Sequence, residues 1–156
     1  MEKTATMLWF ATEAEAAAEH YVKALPGSKI TDVQRYGKQG PGPEGSAMLV
    51  SLELAGRSFQ LLNGGPLFTP NESFSTVIYC EDQAEVDFLW AHLGEGGKYS
   101  QCGWLKDKWG FSWQIVPKRF IDLMMSAAPE AKGRVFAAMM KMTKFEIDKL
   151  ESAAKG

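Results

Sequence analysis

Two stretches of this chain recur within it, in order and at fixed separations. Thr6–Ala17 (TMLWFATEAEAA) lies over Thr76–Asp87 (TVIYCEDQAEVD) at an offset of 70 residues, sharing the Ala-Glu pair at Ala14-Glu15 and Ala84-Glu85. Gly56–Asn63 (GRSFQLLN) lies over Gly110–Pro117 (GFSWQIVP) at an offset of 54, with Gly, Ser and Gln at identical places. One such match between short apolar stretches would be weak. Two in the same order, each with the same kind of element, predict a duplicated unit.

The pattern of apolar residues fills in the elements between the matches. Thr4–Phe10 reads as a strand. Glu13–Leu25 reads as a helix with Thr12 at its N-cap, and Ala14, Ala17, Ala18, Tyr21 and Leu25 form one face before Pro26-Gly27 ends it. Ile30–Tyr36 is a second strand, and the Gly- and Pro-dense Gly37–Gly45 is a loop. Ala47–Leu54 and Arg57–Leu62 alternate as strands around a tight turn at Ala55-Gly56. The second half repeats the order: strand Phe74–Cys80, helix Gln83–Leu93 capped by Asp82, then strands around Tyr99–Leu105 and Phe111–Val116 with a turn at Lys106–Gly110. Each half is therefore a β-α-β-β-β module. Beyond them, Phe120–Met125 reads as a short helix and Pro129–Ala153 as a long one, with Pro129 in its first turn. Val135, Met139, Met142 and Phe136, Met140, Phe145 supply its apolar stripe, fit for core or a subunit interface.

The expected architecture is α+β: tandem βαβββ repeats followed by a C-terminal helical tail. Residues 1–117 form one domain of paired modules, about 1–66 and 67–117, and 118–156 form the extension. A chain of 156 residues is long enough to bury a core of this kind.

Composition narrows the class of function. Seventeen basic residues against nineteen acidic ones leave a net charge of −2, so no global field would hold a nucleic acid. No apolar run approaches the roughly 20 residues of a membrane span. MEKTATMLWF lacks the pattern of a signal peptide, so the expected location is the cytoplasm. Two cysteines, Cys80 and Cys102, and two histidines, His20 and His92, write neither a disulfide framework nor a zinc motif. No GxGxxG or GxxxxGK motif occurs, so Gly64-Gly65 is not a phosphate loop.

Several stretches resemble the PhnB-like, or 3-demethylubiquinone-9 3-methyltransferase domain, family of the vicinal oxygen chelate (glyoxalase/bleomycin resistance/dioxygenase) superfamily. They are MLWF (Met7–Phe10), RYGKQGPGPEGS (Arg35–Ser46), LNGGP (Leu62–Pro66) and CGWLKDKWGFSWQIVP (Cys102–Pro117). The resemblance implies a glyoxalase/bleomycin resistance-like fold whose sheets wrap a cleft, with metal ligands, where present, on the first and fourth strands of each module. Those positions are Ala5 and Gln60 in the first module, and Ser75 and Gln114 in the second. Metal-dependent relatives carry His or Gln on the first strands and Glu on the fourth. A set of Ala, Gln, Ser and Gln holds no anionic ligand, so no metal is expected.

Gln60 and Gln114 are then the candidate ligand contacts, since an amide both donates and accepts and suits a planar polar molecule. Ser75 and Asn63 join them, Asn63 being either a turn-former or a site amide. Trp9, Tyr79, Trp104 and Trp113 would be either cleft walls or core. The loops Gly37–Gly45 and Gly64–Ser73 would be connections or lids. Acid-base candidates are sparse: Cys102, Asp107, Glu53 and His92, with no nucleophile–base pair among them.

The expected activity is binding of a small planar or aromatic organic molecule without metal or cofactor, by a homodimer, whether for sequestration or for metal-independent catalysis. A methyltransferase would ordinarily bring a doubly wound sheet and a Gly-rich first turn, which this chain lacks. The alternative is a metal-dependent glyoxalase or dioxygenase type, or a ubiquinone-related methyltransferase.

Overall fold

The computed structural model describes residues 2–156. The chain divides into two compact units, the first ending at Pro70 and the second spanning Asn71–Gly156.

In the first unit the order is β1 (Thr6–Phe10), α1 (Ala14–Val22), β2 (Lys29–Arg35), β3 (Ala47–Leu54) and β4 (Arg57–Asn63). They form one four-stranded sheet in the order β1-β4-β3-β2. β1 runs parallel to β4, and the other pairs are antiparallel. The helical crossover after β1 puts α1 on one face of the sheet, and β3 and β4 close through a two-residue turn. Ala55 and Gly56 both take positive φ there, +46° and +83°, as a turn matched to the twist of its strands requires. Leu8, Phe10, Val50, Leu52, Phe59 and Leu61 are buried on the face that α1 covers. The helix meets them with Ala14, Ala17, Ala18 and Tyr21, all fully buried. Three alanines on that face let the helix approach the sheet closely.

The second unit repeats this plan with β5 (Ser75–Cys80), α2 (Gln83–Gly94), β6 (Lys98–Tyr99), β7 (Trp104–Lys106) and β8 (Ser112–Pro117). Its sheet order is β5-β8-β7-β6. The register fixes both repeat offsets at once: Met7 pairs with Gln60 and Val77 pairs with Gln114. Ile78, Cys80, Leu105, Trp113 and Ile115 are buried with Val86, Leu89 and Leu93 of α2. The strands expected around Tyr99–Leu105 are β6 and β7, with a break in the stretch between them. Cys102 and Gly103 interrupt it, both in the left-handed region at φ +57° and +80°.

The tail belongs to this second unit and contains three helices: α3 (Lys118–Ser126), α4 (Pro129–Met139) and α5 (Ile147–Lys155). The single long helix expected over Pro129–Ala153 is thus broken. The carbonyls of Met142 and Thr143 accept from the Cys102 and Gly103 amides, each at 2.8 Å, and so leave the helical pattern. Phe145 turns inward, 2% exposed, with its ring 5.2 Å from that of Phe120. Gln83 of α2 holds the restart: its amide donates to the Phe145 carbonyl at 2.9 Å and accepts from the Ile147 amide at 2.8 Å. Gln83 therefore caps α5 from another element, where the N-cap residue Glu146 makes no capping bond of its own. Of the expected stripe, Val135, Met139, Met142 and Phe145 are buried, while Phe136 and Met140 stay about half exposed. No helix among the described residues is long and apolar enough to cross a membrane.

Candidate functional site

Strand alternation gives each sheet one face under its helix and one without. In the first unit Leu8, Phe10, Phe59, Leu61 and Asn63 point to the α1 side. Met7, Trp9, Ser58, Gln60 and Leu62 therefore share the helix-free face. In the second, Ile78, Cys80, Trp113 and Ile115 point to α2, which leaves Ser75, Val77, Tyr79, Trp104, Ser112 and Gln114 on the helix-free face. The two glutamines thus occupy equivalent places on the sheet faces opposite α1 and α2, and both are half-buried.

The two modules differ in how they hold the amide. Gln114 donates through Nε2 to the Ser75 hydroxyl at 2.9 Å, which orients its carbonyl oxygen. Ala5, the counterpart of Ser75 in the repeat, offers no hydroxyl, so Gln60 lacks that anchor. Beside Ser75 across the β5–β8 pairing lies Ser112, 4% exposed, whose hydroxyl is buried without a hydrogen-bond partner. Such a group costs free energy until something pairs with it. Ser112 was not singled out from sequence, although the signal was there: serine recurs at Ser58 and Ser112 in the same repeat that carries the glutamines. Lys106, across from Ser112 on β7, is paired with Glu72 at 2.5 Å, and this bond holds the Glu72 carboxyl below its ordinary value.

Three sequence candidates belong elsewhere. Asn63 is neither a turn-former nor an open amide. It ends β4 on the helix side, 8% exposed, where Oδ1 accepts from the Ala14 amide and Nδ2 donates to the Ala47 carbonyl, both at 2.9 Å. It caps α1 in place of Thr12, whose expected role is not realised: the N-cap is Glu13, with no side-chain bond. At the position 70 residues on from Thr12, Asp82 does cap its helix, accepting from the Glu85 amide at 2.9 Å. Trp113 is core, 2% exposed, and donates from Nε1 to Asp107 at 2.9 Å. Asp107, considered as an acid or base, is 2% exposed and organises its turn by accepting from the Trp109 and Phe111 amides at 3.0 Å each.

The remaining titratable candidates are scattered. Glu53 pairs with Lys29 at 3.4 Å, and the His92 ring stacks on Phe88 of the same helix. Burial pushes the Cys80 thiol up to about 12, reinforced by the carboxylates of Glu85, Asp82 and Glu81, which makes it inert. Cys102 is half-exposed and lies against the Met139 carbonyl and the Met140 sulfur.

Both Gly- and Pro-rich loops are pinned by aromatic rings. Tyr36 lies on Gly40 and Gly42, where an added Cβ would come within 2.7 and 2.4 Å of its ring, and its hydroxyl donates to the Asn63 carbonyl at 2.6 Å. The Trp9 indole lies on Gly64, where a Cβ would come within 2.3 Å, and donates to the Gly65 carbonyl at 2.8 Å. Phe68 meets the same indole edge to face at 5.0 Å. These loops border a cavity of about 250 Å³ between Thr12, Tyr36, Pro43, Asn63 and Gly64. The Tyr36 hydroxyl and both polar atoms of Asn63 on its wall are already bonded within the fold.

A metal does not fit the positions that the repeat selects. Neither glutamine brings a charge, Ser75 is bonded to Gln114, and Ala5 brings no donor. Hard and borderline divalent ions need carboxylate or imidazole in such a set. No group of three or more His, Cys, Asp or Glu among the described residues could hold an ion.

Tandem β-α-β-β-β modules, each with a bare sheet face opposite its helix, define a glyoxalase/bleomycin resistance-like fold. Comparison with known proteins gives the family. The model of the 3-demethylubiquinone-9 3-methyltransferase family matches residues 2–116, and the chain belongs to that PhnB-like family. The PhnB protein from Bacillus cereus is 30% identical, with a TM-score of 0.70 over 74% of this chain and 99% of its own. Protein PA1353 from Pseudomonas aeruginosa is 18% identical, with a TM-score of 0.62 over 75% of this chain and 98% of its own, a likeness of fold. Comparison with curated proteins yields no match.

Proposed function

We propose that this PhnB-like protein binds a small planar or aromatic organic molecule, without a metal, on the sheet face opposite the helix of a module, with the amide of Gln60 in the first module and of Gln114 in the second as the contacts. One observation carries the reading: the repeat puts an amide at the same place on both bare faces, and aromatic and aliphatic side chains flank it. Trp9, Met7 and Leu62 flank Gln60, and Trp104, Val77 and Tyr79 flank Gln114. Amides satisfy a ligand's donors and acceptors, while the apolar neighbours cover its faces. Ser75 orients Gln114, and the unpaired hydroxyl of Ser112 offers one more bond.

The reading includes a homodimer in the cytoplasm. Met7, Val77 and Tyr79 are 51%, 38% and 55% exposed, a large apolar exposure for bare sheet faces. Two free thiols, one of them fully buried, suit a reducing compartment.

A tryptophan-fluorescence titration with a panel of quinones, hydroxylated aromatics and aromatic amides tests the proposal. Saturable quenching that survives chelator and weakens at least tenfold in Gln114→Ala is the expected result. Binding or turnover that requires added Zn²⁺, Mn²⁺ or Fe²⁺ would overturn the metal-free reading. Sedimentation as a monomer would remove the dimer. The family's description favours a second reading, methyl transfer, which a calorimetric titration with S-adenosylmethionine addresses directly.

A further inference from the structure

The tail lies outside the family match, which ends at residue 116. Its charge also differs from the rest. Residues 118–156 hold eight basic and five acidic side chains, whereas residues 1–117 hold nine basic and fourteen acidic ones. Part of that positive charge serves docking within the second unit, as in the pairs Lys144–Asp87 and Lys118–Glu81. The outward side of α4 and α5 is not explained in this way.

Between these helices runs an open groove of about 450 Å³. Alanines at 137, 138 and 153 floor it, and small side chains are what leave room between two packed helices. Arg134, Lys141 and Lys149 border it, against one side-chain carboxylate, Glu146. Lys149 pairs with Glu146 at 2.6 Å. Arg134 donates to the Ala153 and Ala154 carbonyls, at 2.8 and 2.9 Å, and has no ion pair with a side-chain carboxylate among the described residues. Lys141 is exposed and has no ion pair among the described residues. Inward packing uses Val135, Met139, Phe145 and Leu150 and needs none of these cations.

We propose that this groove docks an acidic amphipathic helix of a partner protein. Arg134 lies on α4 and Lys141 two residues past its end, with Ala137 and Ala138 between them on the groove wall. The complementary segment carries carboxylates at positions i and i+7 and aliphatic side chains at i+3 and i+4. A third helix laid into the trough between two others buries that stripe on the alanine floor. The positive tail of an otherwise acidic chain steers such a partner to this end of the molecule.

Fluorescence anisotropy with the full chain and a labelled helical peptide tests the assignment, the peptide carrying Glu at i and i+7 and Leu at i+3 and i+4. Saturable binding is expected, weakened at least tenfold by Lys141→Glu and unchanged by Lys23→Glu, which alters net charge equally on the first unit. Circular dichroism checks that both variants are folded. On the unaltered protein, replacing the two Glu by Gln, or the two Leu by Ser, is also expected to weaken binding at least tenfold. No saturable binding would overturn the proposal. So would equal affinity for the Gln peptide, or equal affinity for the Ser peptide, which would mean a site for any polyanion.

Discussion

Asn63→Ala removes a cap that reaches α1 from the end of β4, beside the last residue of β1. Two buried bonds are lost, from the Ala14 amide to Oδ1 and from Nδ2 to the Ala47 carbonyl, both at 2.9 Å. Asn63 is 8% exposed and Ala14 is fully buried, so water does not readily replace the side chain. Each orphaned group costs about 1–3 kcal/mol, and loss of an N-cap alone costs about 1 kcal/mol. Because the Ala14 amide counts in both figures, the sum expected is about 2–4 kcal/mol. With a urea slope of about 2 kcal/mol/M, the unfolding midpoint falls by about 1–2 M, read by circular dichroism. Asp82 shows what restores the helix: at the position equivalent to Thr12, a carboxylate caps α2 locally. Thr12→Asp in the Asn63→Ala background should therefore recover about 1 kcal/mol. A midpoint shift below about 0.3 M in Asn63→Ala, or no recovery on adding Thr12→Asp, would refute the account of Asn63 as the remote cap.

Three further outcomes follow from the same geometry. Gln83→Ala should free the α5 start, raising amide exchange over Ile147–Lys155 and opening residues 140–146 to proteolysis, while α1 keeps its protection. The Lys144 bond, and then Gln83, hold the Asp87 carboxyl below its ordinary 3.8; the stability this gives is complete above that value and lost as pH falls through the lowered one. Tail protection should accordingly drop in that acid window, and Asp87→Asn should remove the step. In native protein a thiol reagent should label Cys102 and leave Cys80 untouched, with both labelled in urea; equal labelling in the native state would contradict the burial of Cys80.

The duplication and the order of elements within both modules were legible in the sequence. They depend on local periodicity and on repetition, and strand alternation carries facing directly from one residue to the next. That the PhnB-like motifs are rich in glycine was visible, but not why: Tyr36 and Trp9 reach their glycines only once the loops fold back on the sheet. The same limit explains Asn63, 49 residues from the amide it caps, and Gln83, some 60 residues from the tail it holds. It explains Trp113 as well, since the bond from its indole to Asp107 commits both to the core. The break at Met140–Glu146 is likewise tertiary, because the apolar spacing of Pro129–Ala153 suits a continuous helix. Carbonyls taken by Cys102 and Gly103, with Phe145 drawn into the core, outweigh the helical bonds given up there. Sequence determined the elements of the two modules and which way their side chains alternate. Only the tertiary structure decided which polar groups are already used in holding the fold, because their partners are remote in the chain.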